Sequence, residues 1–358
     1  MSIGQWIGFL LALAGAQDAE LYVDTAERTR QWIAFRSNTS PGNLDPATGT
    51  LTVEYGQESF DEGETRALLE SPVGTRLSPS AGFPATYDVD LTPTFGKAKL
   101  EPGLHLVCIE RVESGWQLVF VRFEEALAAG WDGAAAIPGA GVVVAARVEE
   151  RRDGSSTAAH RVWTGPGADD RGLTFRVQYG PLSLQSDLVV KAKKGQPAAG
   201  ETKRFRSTLR LGQGGAVLAS VEHGLSAWEA GSGQTPDRLK PGKRWPLGKD
   251  HWTTLLVFAP LDLGGVRALP GDYSLLLERS RGEDAWALAL IGSAACRKAF
   301  TNMHHAEKLD ALVSAPMTRE EAVVAADELD CHFDGREPAR LVLHYGSDRW
   351  SVSVARAQ

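Results

Sequence analysis

Two stretches of the chain read as copies of one another at one constant spacing. Val53-Glu54-Tyr55-Gly56 recurs as Val221-Glu222-His223-Gly224, Gly74-Thr75-Arg76 as Gly242-Lys243-Arg244, and Pro102-Gly103 as Pro270-Gly271, each 168 residues further on. A period of that length is a duplicated domain and not a solenoid unit, so each copy is expected to close its own core instead of borrowing a neighbour's. A chain of 358 residues suits two domains of ordinary size.

Within each copy the signals are those of strands. Leu51-Thr52-Val53-Glu54-Tyr55 alternates apolar and polar residues and ends at Gly56, and its counterpart in the second copy ends at Gly224. Next come residues 86–91 and 253–258, the Pro-Gly turns, and a hairpin into the strands led by Trp116 and Trp286, whose equivalent places give both a core role. The copies diverge after that point. The first carries a short helical candidate at 123–129 and the second a longer one at about 306–329, and they converge again at 173–180 and 339–346. The fold class expected is mostly β: two tandem antiparallel β-sandwich or open-barrel domains with short helical insertions. The boundaries read as a leader over 1–16, a first domain over 20–192, a linker over 193–200 and a second domain over 201–358.

The leader is read from an apolar run, Trp6 to Ala14, closing on Gly15-Ala16 ahead of polar Gln17-Asp18. It predicts export, to the periplasm or the medium, with cleavage after Ala16; a buried N-terminal segment is the alternative, because no Lys or Arg precedes the run. No other stretch is long and apolar enough to cross a bilayer. The formal charge of −7 and scattered Lys and Arg argue against a nucleic-acid partner. The pattern Asn38-Thr39-Ser40 fits glycosylation but is frequent by chance. Three cysteines make no disulfide framework; Cys296 with Cys331 is the one pair available within a single copy, and Cys108 reads as a small buried residue.

The order of signals in the second copy, Val-Glu-His-Gly, then residues 242–254, then Leu-Pro-Gly-Asp-Tyr-Ser-Leu (269–275) and Trp286, resembles the bacterial domain-of-unknown-function family 2911. That resemblance spans most of both copies and implies an exported bacterial protein; the family carries no established activity. The polar centre of the family pattern is replaced by residues 244–252 in the second copy and by the nearly uncharged 76–83 in the first.

The candidate ligand site follows from that segment: Arg244, Trp245, Lys249, Asp250, His251 and Trp252, with Arg76 as the shared polar position in the first copy. Aromatic faces beside charged donors suit a carbohydrate or a small anionic ligand. The plainer alternative is a solvated loop anchored by two tryptophans. No catalytic, cofactor or metal motif stands out. His304, His305, Cys331, His332 and His344 lack the spacing that places two ligands on one helix face. The leading expectation is therefore a non-enzymatic binding or structural module for a small, carbohydrate-like or protein ligand. A hydrolase-like enzyme using Arg244, Asp250 and His251 is the alternative.

Overall fold

Alternating apolar and polar residues bounded by Gly and Pro become, among the described residues of the computed structural model, twenty-three strands and two short helices. It describes all residues except 1–19, 36–48, 58–69, 81–82, 134–136, 138–141, 148, 153–160, 167–171, 180–181, 191–196, 225–235, 237–238, 248–252, 282–284, 299–307, 336–337 and 358. The leader, Asn38, Lys249 to Trp252 and His304-His305 thus lie outside the described residues, as does 193–196 of the expected linker.

The first copy opens with β1 (Leu21–Phe35), β2 (Gly49–Gly56), β3 (Arg76–Leu77), β4 (Thr86–Val89), β5 (Pro93–Phe95), β6 (Ala98–Lys99) and the hairpin β7 (Gly103–Val112) and β8 (Gly115–Arg122). Helix α1 (Phe123–Ala128) follows, then β9 (Val142–Arg147), β10 (Glu149–Arg152), β11 (Arg161–Pro166), β12 (Leu173–Tyr179) and β13 (Leu182–Val190). The second copy repeats the order with β14 (Pro197–Leu211), β15 (Val217–Gly224), β16 (Lys243–Pro246), β17 (Thr254–Val257), β18 (Leu261–Leu263), β19 (Val266–Ala268), β20 (Gly271–Arg279), β21 (Trp286–Gly292), α2 (Ser293–Lys298), β22 (Val313–Asp334) and β23 (Arg340–Arg356). Every pairing among the described residues is antiparallel; β5, β6 and β10 to β13 of the first copy form a six-stranded sheet, and the other strands of both copies form a seventeen-stranded one. The core of the first copy holds Tyr87, Trp116, Phe120 and Phe175, and that of the second Trp286, Leu341 and Trp350. Gly74 (φ 88°) and Gly242 (φ 75°) are repeated because the turn before β3 and β16 needs a left-handed residue.

Each copy has its own apolar core, as the repeat leads one to expect, but the two are also joined to one another. Strands β1 and β14, fifteen residues each, pair along their whole length, with midpoints Arg28 and Arg204 facing each other. Arg28 also pairs with Gly56 of β2, and Arg204 with Gly224 of β15, so the register has the two-fold symmetry of an isologous dimer. The first half of β1 runs past β2 and lays Leu21 and Val23 on the core of the second copy. Residues 197–200, expected as linker, are instead the start of β14, paired with Trp32 to Phe35. Gly200 allows this: a Cβ there would sit 2.5 Å from the Trp32 ring. A third apolar cluster joins the copies, Leu106, Cys108 and Val121 of the first meeting Val217, Leu256 and Phe258 of the second.

Two further expectations are corrected. The helix expected over about 306–329 is not formed from Val313 onward, where the chain belongs to the long strand β22. Its ends alternate, with Val313, Ala315, Met317 and then Leu329, Cys331, Phe333 facing the core, and Pro316 is incompatible with a helix interior. The helix-forming residues between them are exposed where the register with β23 shifts. Cys296 and Cys331 are not bonded to each other: all three cysteines are free and buried, Cys331 in the core of the second copy and Cys296 in a separate cluster with Leu276, Ala289 and Ile291. No helix among the described residues is long and apolar enough to cross a membrane.

Candidate functional site

The outward faces of β1, β2, β14 and β15 meet at the seam between the copies, and they are charged. Arg30 donates to Glu54 (2.9 Å), and Arg206 pairs with Glu222 in the same relation. Across the seam Arg28 lies 3.3 Å from Glu222 and Arg204 3.6 Å from Glu54. Arg28 donates to the Glu54 carbonyl and Arg204 to the Glu222 carbonyl, so these contacts too obey the two-fold relation, while Arg28 also donates to the Phe83 and Pro84 carbonyls. All six side chains are buried. Burial pulls Arg30 down to about 9 and Arg28 to about 10 despite Glu54. For Glu54 burial acts upward, but Arg204, Arg30, Arg28 and Arg206 outweigh it and hold the carboxyl below its ordinary range. Four guanidinium groups thus share two carboxylates away from water, a costly arrangement whose best-attested use is fixing register.

The symmetry breaks one strand further out. Asp88 on β4 pairs with Leu104 on β7, whereas the equivalent pair in the second copy is Leu256 on β17 with Asp272 on β20. Each copy brings one aspartate and one leucine to the seam, in reversed places. The fifth residue of α1 is Leu127 and that of α2 is Arg297. Arg297 reaches both acids at 2.7 Å, Asp88 of the first copy and Asp272 of the second. Burial works against its charge, yet these two carboxylates raise its pKa above the ordinary value.

Beside this bridge lies a cleft of about 410 Å³ between α1 and α2, one helix from each copy. Leu104, Phe123 and Ala294 give it apolar walls, and Asp90, Arg122, Glu124, Asp272 and Arg297 line it with charge. Asp272 and Arg297 also line a smaller void of about 30 Å³ beneath it, reaching Arg30, Glu54 and Glu222. That void has room for water but not for an organic ligand. The cleft lies within the range of small-molecule sites.

Of the residues singled out from the sequence, Arg76, Arg244 and Trp245 do not line this cleft, and Lys249 to Trp252 lie outside the described residues. Arg244 donates from Nε to Glu278 (2.7 Å) and from Nη1 to the Leu309 carbonyl (2.7 Å), and Arg76 donates to Glu110 (2.9 Å). Both are cross-strand pairs, Arg76 opposite Glu110 and Arg244 opposite Glu278, which explains why the position recurs. Since the Arg244 and Glu278 side chains are about a fifth exposed, a double-mutant cycle between them is expected to give a coupling below about 1 kcal/mol. Trp245 packs half-buried on Tyr345 at 5.2 Å. Among the histidines, His332 lies 2.9 Å from Asp330, and His223, where the first copy has Tyr55, lies 3.9 Å from the same carboxylate. Among the described residues no group of His, Cys, Asp and Glu is arranged to hold a metal ion.

No family model, curated protein or solved structure matches the chain. The cleft was legible only in part. Comparing the copies residue by residue exposes Asp88 against Leu256 and Leu104 against Asp272, whereas Arg28 and Arg30 escape a search at constant spacing because β1 and β14 are 176 residues apart, not 168.

Proposed function

We propose that this chain is a non-enzymatic binding module of the bacterial envelope that takes a small polar ligand in the cleft between its two copies. The observation that carries the reading is the loss of symmetry. Where the copies agree, at the arginine-glutamate network, their residues dock one copy on the other; where they differ, Asp272 and Arg297 line the cleft and Asp88, paired with Arg297, lines the void beneath it. Location in the envelope rests on the leader-like residues 1–16 and on the resemblance to family 2911. The hydrolase-like alternative has less support, because Arg244 is engaged by Glu278 and Leu309.

A thermal-shift panel of monosaccharides, amino acids and small carboxylates against the full chain tests the proposal. At least one class is expected to stabilise the protein, and Ala294→Trp, at an exposed position lining the cleft, is expected to abolish the shift with stability changed by less than about 0.5 kcal/mol. A shift that survives Ala294→Trp but disappears in Trp245→Ala would return the site to the segment 244–252. A second reading is favoured by the symmetric network itself: a scaffold whose seam serves only to fix how the copies dock. A silent panel supports it.

A further inference from the structure

We infer that the cleft takes a small zwitterion of the amino-acid class, its ammonium group on Asp90 and its carboxylate on Arg122. The inference rests on reading the cleft as a binding site and names the ligand chemistry. Five charged side chains line the cavity, and two of them, Asp272 and Arg297, are already satisfied by each other and by Asp88. Asp90, Arg122 and Glu124 remain, and among the described residues none of the three has an ion-pair partner.

Asp90 is held in place. Its Oδ2 accepts from the Thr50 amide (3.0 Å) and the Thr50 hydroxyl (2.5 Å), and its backbone amide donates to the Thr50 carbonyl. Those neutral donors orient the carboxylate without neutralising it. Burial, with Asp88 close by, pushes its pKa up, against the opposing pull of Arg297, whose own ion pairs go to Asp88 and Asp272. Arg122, at the end of β8, presents to the same cavity a guanidinium that suits a carboxylate in two-point contact. Glu124, exposed at the mouth, favours approach of a cationic group. Between these poles Leu104, Phe123 and Ala294 offer an apolar wall for an aliphatic or aromatic side chain. A simple carboxylate would bring no cation to Asp90 and Glu124, and a neutral sugar would leave both poles unpaired in a partly dehydrated site.

Calorimetric titration of the full chain with the common amino acids, and with the decarboxylated amine and the deaminated acid of whichever binds most tightly, separates the possibilities; glucose serves as the neutral probe. The intact amino acid is expected to bind at least about ten-fold more tightly than either derivative, and Asp90→Asn and Arg122→Gln each to weaken it by about ten-fold or more. Arg122 is half-buried at a strand end, so its variant keeps the test available if Asp90→Asn disturbs the Thr50 contacts. If glucose or the deaminated acid binds at least as well and Ala294→Trp abolishes that binding, the zwitterion is wrong and the cleft reading stands. Binding indifferent to all three variants, or no binding by any probe, overturns both.

Discussion

Replacing Glu54 with glutamine is expected to lower the unfolding free energy by about 3–5 kcal/mol, the range for removing one partner of a buried ion network. Glutamine keeps the size and one acceptor oxygen, so the loss isolates the charge. Glu54 contacts Arg30 at 2.9 Å and Arg204 at 3.6 Å, one from each copy, and all three are buried. Without it the four guanidinium groups share Glu222 alone, and Arg30, already lowered by burial, keeps no acid among its ion pairs. Urea unfolding followed by tryptophan fluorescence measures the change, with Glu278→Gln as the control. Glu278 also pairs with an arginine, but with both side chains about a fifth exposed its loss is expected to cost under about 1 kcal/mol. Similar losses in the two variants would show that the seam network is solvated and that apolar packing around Phe83 and Phe258 holds the copies together.

The contrast between these two glutamates marks what a linear reading can reach. Strands, Pro-Gly turns and tryptophan positions are local patterns, and Trp116 and Trp286 are 2% and 3% exposed, as equivalent core residues should be. The exchange of β1 and β14 is not local. It depends on which edge each first strand offers its twin, and the short period-two pattern of either strand is the same whether its partner lies in its own copy or the other. Thirteen residues separate β1 from β2 but only five separate β14 from β15, and this difference of eight moves the arginine pair out of step, hiding the most heavily charged part of the interior. In β22 too the local pattern is overridden: residues 318–328 favour a helix, but the apolar alternation at both ends, anchored in the core, imposes a strand.

Acid is expected to unfold this protein well before its surface carboxylates account for it, because two histidines are buried in the neutral form. His105 is fully buried with Nδ1 3.1 Å from the Gly103 carbonyl, and burial lowers its pKa to about 4. His223 is 5% exposed, and burial, with Arg204 beside it, also brings it to about 4 from the ordinary 6.5, against the opposing pull of Asp330. A depressed folded value means that the unfolded chain takes up the proton first. The stability is therefore complete above about pH 6.5 and is lost as the pH falls toward 4, by up to about 3 kcal/mol for each histidine. Glu54, whose folded value is also depressed, extends the loss to lower pH, while Asp90, raised by burial, opposes it. The duplication supplies the test: Tyr55 stands where the second copy has His223, so His223→Tyr asks for a side chain that this fold already accepts at the equivalent place. Urea unfolding at a series of pH values should show the variant losing about half as much stability as the parent between pH 6.5 and 4. An unchanged slope would mean that His223 charges within the folded state, its proton held by Asp330, and would leave His105 as the buried group that sets the acid limit.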